Sequence, residues 1–217
     1  MNNPWNAIDL QTYEAHMQLE SVQQLQTLDA IMEEQFTLCK AKQVMILGIA
    51  GGNGLRHVKT HHFQDVYGID INPAYLRECQ QRYPELTQIF KPIEADLLEE
   101  QIQLPTCDLL IANLLVEYIG IARFQKLAKQ SDAEVISVVI QQDTDEGFVS
   151  DSPYLHSFAM LNTIHEQLQE GEITHAMESI SYCMSKRTAY PLPNGKALLR
   201  LDYMHVSPIK EAVTAYK

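Results

Sequence analysis

The chain has 217 residues, of which 46% are hydrophobic and 20% charged, as expected of a soluble globular domain that buries a sizeable core. Its formal net charge of −12 disfavours nucleic acid and anionic membranes as partners, because a negative field repels polyanions. Apolar runs are too short to span a bilayer, and no basic segment precedes an apolar one near the start. We therefore expect a cytoplasmic protein with no membrane partner.

The first forty residues are predicted to be helical. Apolar residues recur at three- and four-residue steps over residues 8–39. Ser21 is a candidate N-cap that would divide this stretch into two helices. We interpret residues 1–40 as a helical extension that covers the functional site of a domain formed by residues 41–217.

Short apolar strands that alternate with helices follow, which is typical of a parallel sheet with right-handed crossovers. The strands are predicted within residues 43–49, 65–71, 86–97, 107–114 and 133–141, and the intervening helices within 54–63, 72–83 and 115–130. A polar loop at 142–152 leads to a predicted helix at 152–170. Two last strands, 178–190 and 196–205, flank a turn at Asn194-Gly195.

A glycine-rich segment, GIAGGNG at residues 48–54, follows the first predicted strand. Glycines at such a strand end let the backbone approach a ligand closely, although they would also suit a turn that only packs a helix. A phosphate-binding P-loop needs Lys and Ser or Thr here, whereas Gly54 precedes Leu55 and Arg56. The segment also departs from the G-x-G-x-x-G pattern of dinucleotide sites.

Two acids follow later strands. Asp70 ends the second strand, where a carboxylate can accept hydrogen bonds from both hydroxyls of a ribose. Asp96 follows the third strand, where it could accept from an adenine amine beside the Leu97 backbone. Each acid could instead serve a turn or a helix cap. Together with the glycines they indicate an adenosine ligand.

On these residues the sequence resembles the class I S-adenosylmethionine-dependent methyltransferases, over residues 41–141. VMILGIAGGNG, VYGIDINPAYL, IEADLLE and CDLLIANLLVEYI resemble the family's first four motifs. The resemblance implies a three-layer α/β/α sandwich with a Rossmann-like, seven-stranded, mostly parallel sheet and a reversed last strand. It implies S-adenosylmethionine as cofactor, S-adenosylhomocysteine as product, and cofactor contacts at Gly48, Ile49, Ala50, Gly52, Asp70, Ile71, Asp96, Leu97 and Asn113.

Two positions depart from the family pattern. Ile46 stands where the family usually has an acid that helps to hold the amino-acid end of the cofactor, and Ala50 stands at its second glycine. A non-catalytic module that binds S-adenosylmethionine or S-adenosylhomocysteine, as a sensor or partner subunit, therefore remains an alternative. A nucleotide-dependent oxidoreductase is disfavoured by the loop.

The expected reaction is methyl transfer by in-line displacement, for which the enzyme mainly aligns an already activated methyl group with its acceptor. His16, Glu117 and Tyr118 are the catalytic candidates, although His16 could be a packing residue and Glu117 a helix-start acid. Contacts with the substrate are expected from Tyr13, His16, Met17, Tyr118, Gln141 and Tyr154.

The class of acceptor follows from what the sequence lacks. The fourth strand ends in ANLL, without the Asn-Pro-Pro-Tyr type of motif that accompanies amide or base nitrogen substrates in the family. His61-His62 has no third ligand nearby, so we expect no metal site. We expect a small-molecule acceptor, no nucleic acid, and a monomer or homodimer.

Overall fold

The structure of the protein is a computed structural model that describes residues 3–143 and 147–206. Within these residues one β-sheet has seven strands: β1 (Gln43–Leu47), β2 (Asp65–Asp70), β3 (Phe90–Glu94), β4 (Leu109–Asn113), β5 (Val135–Gln142), β6 (Tyr182–Pro191) and β7 (Ala197–His205). Their order is β3-β2-β1-β4-β5-β7-β6. The first five are parallel, and β7 is antiparallel to both neighbours. The predicted mostly parallel sheet with a reversed last strand is confirmed.

In the described residues six α-helices surround the sheet: α1 (Leu10–Met17), α2 (Gln24–Gln35), α3 (Pro73–Arg82), α4 (Val116–Ile119), α5 (Ile121–Ser131) and α6 (Glu170–Glu178). The predicted start of α3 is confirmed, because the Asn72 side chain accepts a hydrogen bond from the Ala74 backbone and Pro73 occupies the first helical position. Short 3₁₀ helices span Pro4–Ala7, Leu55–Thr60, Pro84–Leu86 and Leu155–Thr163.

The core has two layers, one on each face of the sheet. Alternate residues of β1 divide between them: Met45 and Leu47 pack with α5 and α6, whereas Val44 and Ile46 pack with α2 and α3. This alternation follows from the two-residue period of a strand. Burial on both faces explains why the central strands are continuous apolar runs.

The break between the first two helices lies elsewhere than predicted. Ser21 does not cap α2; Gln23 precedes the helix in a left-handed conformation, with φ of +51°, and its side chain makes no capping hydrogen bond. The chain turns at Gln23, so the predicted helical stretch 8–39 consists of two separate helices. Gly120, with φ of +76°, similarly separates α4 from α5 within the predicted helix 115–130.

Two further helix predictions were wrong in type or place. Residues 54–63 form only a 3₁₀ helix, Leu55–Thr60. Residues 152–170 contain a 3₁₀ helix at Leu155–Thr163, and α6 begins only at the last of them, Glu170, and ends at Glu178, the first residue of the strand predicted at 178–190. A capping box between Gln169 and Glu172 starts α6. Parts of the predicted loop 142–152 and of the predicted domain 41–217, namely 144–146 and 207–217, lie outside the described residues.

Candidate active site

A cavity with about 660 Å³ of empty space lies at the carboxyl ends of β1, β2 and β4, and we call it the first cavity. In an open parallel sheet, ligands bind where the strand order reverses, and here it reverses between β1 and β4. Seven of the predicted cofactor contacts line this cavity together. They are Gly48, Ala50, Asp70, Ile71, Asp96, Leu97 and Asn113.

Asp70 is the most constrained polar group of the first cavity. Its side chain is 8% exposed, and its two carboxylate oxygens accept hydrogen bonds from the backbone N–H groups of Ala50, at 2.8 Å, and Asn72, at 2.9 Å. Burial raises the pKa of Asp70, although these backbone hydrogen bonds oppose the rise. Each carboxylate oxygen has a second lone pair, so the group retains capacity for ligand hydroxyls.

The backbone around the glycine-rich segment is strained at one non-glycine position. Gly48 has φ of +68°, and a Cβ added there would lie 3.0 Å from Cδ1 of Leu115. Ala50 also adopts a positive φ, +48°, which L side chains disfavour. The strained conformation brings the Ala50 N–H onto Asp70, so the strain serves the geometry of the cavity.

Two predicted cofactor contacts, Ile49 and Gly52, do not line the first cavity. Ile49 is 5% exposed and packs into the core between β1 and β2, close to Gly68. Gly52 lies in the inner turn of the loop, where an added Cβ would meet Leu55 and Cys79. Both positions face the core beneath the loop. The sequence does not predict which residues of so short a turn face the core and which face the cavity.

Asn113 lines the cavity, but its amide is already engaged. It exchanges two hydrogen bonds of 2.9 Å with the Gln35 amide, and Gln35 also donates to Ser137 at 2.8 Å. Asn113 is therefore held in one orientation from the α2 side.

A second cavity, with about 520 Å³ of empty space that includes its opening to solvent, adjoins the first. Five of the six predicted substrate residues line it, namely Tyr13, His16, Met17, Tyr118 and Gln141, as does the catalytic candidate Glu117. Tyr154 does not, since its ring packs in an outer apolar cluster around Ile8 and Phe158. Further lining residues that the sequence did not indicate include Trp5, Gln24, Phe148, Phe158 and His165.

The N-terminal segment forms a wall common to both cavities. Trp5 and Tyr13 line both, together with Leu114 and Tyr118. The segment is anchored on α3, because the Asn72 amide donates to the Trp5 carbonyl at 3.2 Å and the Tyr75 hydroxyl donates to the Ile8 carbonyl at 2.8 Å.

Comparisons with known proteins identify the fold. No protein-family model matches the sequence, and no curated protein matches it either. Many solved structures are similar to this chain, among them three at low sequence identity. Geranyl diphosphate C-methyltransferase from Streptomyces coelicolor A3(2) has a TM-score of 0.63 at 9% identity, over 83% of this chain and 80% of that one.

Magnesium protoporphyrin IX methyltransferase from Synechocystis PCC 6803, with bound S-adenosylhomocysteine, has a TM-score of 0.59 at 15% identity, over 85% and 83% of the two chains. A [4+2]-cyclase has a TM-score of 0.65 at 8% identity, over 86% and 84%. This chain has the class I methyltransferase fold. At such identities the comparison establishes the fold of the chain and not its activity.

Glu117 is a buried acid in the wall of the second cavity. It belongs to the first turn of α4 and is 3% exposed. Its Oε1 accepts a hydrogen bond of 2.9 Å from the Gln141 backbone, whereas Oε2 has no partner among residues 3–143 and 147–206. Burial raises its pKa to about 7, and the nearby Asp143 adds to the rise.

The other titratable groups of the second cavity are neutral near pH 7. Burial lowers the pKa of His16 and of His165; Asp143 opposes the fall at His165, and Lys196 adds to it at both residues. The His16 Nδ1 lies 2.8 Å from the Ser152 hydroxyl, and the His165 ring stacks on Phe148 with ring centroids 3.8 Å apart. Burial also raises the pKa of Tyr13 and of Tyr118, so both hydroxyls stay protonated.

Two properties of the described residues bear on metals and on membranes. Over residues 3–143 and 147–206, no three His, Cys, Asp or Glu side chains are grouped so that they could hold a metal ion. None of the helices in those residues is long and apolar enough to cross a membrane.

Proposed function

We propose that the protein is an S-adenosylmethionine-dependent methyltransferase that transfers a methyl group by in-line displacement to a small-molecule acceptor. The observation that carries the proposal is the convergence of Gly48, Asp70 and Asp96 on one cavity at the reversal point of the sheet. The methyltransferase fold supports it.

The first cavity suits an adenosyl group. Asp70 would accept hydrogen bonds from the ribose hydroxyls through its free lone pairs, and Asp96 would accept from the adenine amine. Ile71 and Leu97 line the same cavity and offer apolar surface to the base. The cofactor would supply a methyl group carried on a positively charged sulfur.

Glu14 offers a replacement for the acid that is missing at Ile46. Ile46 is 4% exposed and packs in an apolar layer of the core. A third cavity, with about 500 Å³ of empty space that includes its opening to solvent, adjoins the first, and Ile46, Glu14 and Ala50 all line it. Both oxygens of the Glu14 carboxylate accept hydrogen bonds from the Arg82 guanidinium, and through their remaining lone pairs they would hold the amino group of the methionine part.

The acceptor would occupy the second cavity. Because Tyr13, Leu114 and Tyr118 line both cavities, an acceptor in the second one would face the methyl group across a shared wall. Residues 1–40 would act as an extension that keeps water from the site, over a cofactor-binding domain at 41–217. His16, Glu117 and Tyr118 remain the candidate catalytic residues of this arrangement.

A non-catalytic S-adenosylmethionine-binding module is the second candidate function. Ile46 and Ala50 favour it, because each departs from the family pattern at the cofactor loop. The [4+2]-cyclase of the same fold also shows that this fold is not confined to proteins named for methyl transfer.

Titration calorimetry with S-adenosylmethionine, S-adenosylhomocysteine and NAD tests the cofactor. We expect the first two ligands to bind and Asp70→Asn to weaken them at least about tenfold, because the variant loses a charged acceptor. Asp65→Asn, at the opposite end of β2, is the matched control and should bind as wild type does. Binding of NAD alone would overturn the proposal, and binding without turnover across a broad acceptor panel would favour the second candidate.

A further inference from the structure

The second cavity contains a buried acid with an unused oxygen. Glu117 lines this cavity, yet its Oε2 has no hydrogen-bond partner in the described parts of the chain. A buried carboxyl oxygen without a partner is unfavourable, so proteins seldom keep one without a reason. A hydrogen-bond donor carried by the acceptor would satisfy this oxygen.

Aromatic and imidazole rings make up much of the remaining wall. Trp5, Tyr13 and Tyr118 lie on the side shared with the first cavity, and the Tyr118 ring meets Trp5 edge-on at 5.0 Å. Phe148 and Phe158 lie among the lining residues beyond them. Faces of such rings attract a cation through their quadrupoles and also bury an apolar body.

The charge balance of the second cavity excludes anionic acceptors. No Lys or Arg is among its described lining residues, and the lowered pKa values of His16 and His165 leave both imidazoles neutral. The nearby Lys196 already has partners, since its Nζ forms an ion pair with Asp143 at 3.1 Å and donates to the carbonyl of Phe148 at 2.8 Å. A diphosphate, such as the one bound by the Streptomyces coelicolor enzyme, would find no free cation in this wall.

We propose that the methyl acceptor is a small amine on an apolar or aromatic body, bound in the second cavity as an ammonium ion whose N–H is accepted by Oε2 of Glu117. This inference rests on the proposed function. The ammonium transfers a proton to the Glu117 carboxylate, which leaves a neutral amine with a free lone pair. Glu117 is thereby a catalytic base as well as the group that recognises the substrate.

The reaction balances with these groups alone. The amine nitrogen forms a bond to the methyl carbon, and the carbon–sulfur bond breaks with its electron pair left on sulfur. The products are S-adenosylhomocysteine and a methylammonium ion, and the proton held by Glu117 passes to solvent. A carboxyl group whose pKa lies near 7 is well matched to holding and then releasing this proton.

Binding of matched probes tests the inference without relying on turnover. Butyl, phenylethyl and indolylethyl bodies, each carried as an amine, an alcohol and a carboxylate, are titrated at pH 8 into protein saturated with S-adenosylhomocysteine. We expect the amine to bind roughly tenfold more tightly than the alcohol on at least one body, and the carboxylate to bind least tightly. We also expect methylation of that amine in the presence of S-adenosylmethionine.

Glu117→Gln should reduce the preference for the amine over the alcohol to about twofold, because the neutral amide cannot pair with the ammonium charge. Its affinity for S-adenosylhomocysteine should equal that of wild type, because Glu117 does not line the first cavity. The control Glu178→Gln, at an exposed position of α6, should keep the full preference.

An amine preference on none of the three bodies, or one that survives in Glu117→Gln, would overturn the inference even if the cofactor binds. Failure of wild-type protein to bind S-adenosylhomocysteine would instead overturn the proposed function.

Discussion

Glu117→Gln should change how the stability of the ligand-free protein depends on pH. Burial raises the pKa of Glu117 from its ordinary value of 4.5 to about 7. Below about pH 4.5 the carboxyl is protonated in folded and unfolded chains alike, and its effect on stability is smallest. As the pH rises towards 7, the unfolded chain ionises first, so the folded state progressively loses stability.

The magnitude follows from the size of the pKa shift. At about 1.4 kcal/mol per pKa unit, wild type should lose about 2–3 kcal/mol between pH 5 and pH 8 through this one group. The pKa of about 7 already contains the effects of two neighbours, since Asp143 raises it and the hydrogen bond from the Gln141 N–H lowers it. Because a glutamine at position 117 does not titrate, the variant should not lose this stability between pH 5 and pH 8.

Urea unfolding followed by circular dichroism, at pH 5 and pH 8, measures the effect. The free energy of unfolding of Glu117→Gln, minus that of wild type, should be about 2–3 kcal/mol larger at pH 8 than at pH 5. Other titrating groups cancel in this difference, and Glu178→Gln should show no comparable change. If the free energy of unfolding of the variant differed from that of wild type by the same amount at both pH values, the buried, unpartnered state of Glu117 would be refuted.

Two further predictions concern the cofactor loop. Ala50→Gly should stabilise the protein by about 1 kcal/mol in urea unfolding, because glycine relieves the positive φ of +48°; destabilisation would show that this strain is not real. Glu14→Gln should weaken S-adenosylhomocysteine roughly tenfold in calorimetry but leave methylthioadenosine, which lacks the amino-acid end, unchanged. Equal weakening of both ligands would contradict the role assigned to Glu14.

The sheet and the first cavity could be predicted largely because their signals are local. Continuous apolar runs mark strands that are buried on both faces, and a ligand cavity forms at the strand ends of such a sheet. Asp70 and Asp96 were therefore expected near the glycine-rich segment, and the structure places both in one cavity. Ile49 and Gly52, also predicted as cofactor contacts, do not line the first cavity, because successive residues of a tight loop point in different directions.

The second cavity could be predicted only in part, because it is assembled from distant segments. The rings of Trp5, Phe148 and His165 all pack against Tyr118, and no local sequence pattern predicts this packing. Helix α6 was missed since it buries only Ile173 and Met177, too few for a clear apolar stripe. The spacing of Gln169 and Glu172 is the sequence signal that could have revealed its start.

A crystal structure of the protein grown with S-adenosylhomocysteine tests the central claim most directly. The account predicts ribose hydroxyls within hydrogen-bond distance of the Asp70 carboxylate, and the adenine ring beside Asp96 and Leu97. The sulfur should point towards the wall formed by Tyr13 and Tyr118. Ligand density outside the first cavity, or a ribose that does not touch Asp70, would contradict the account.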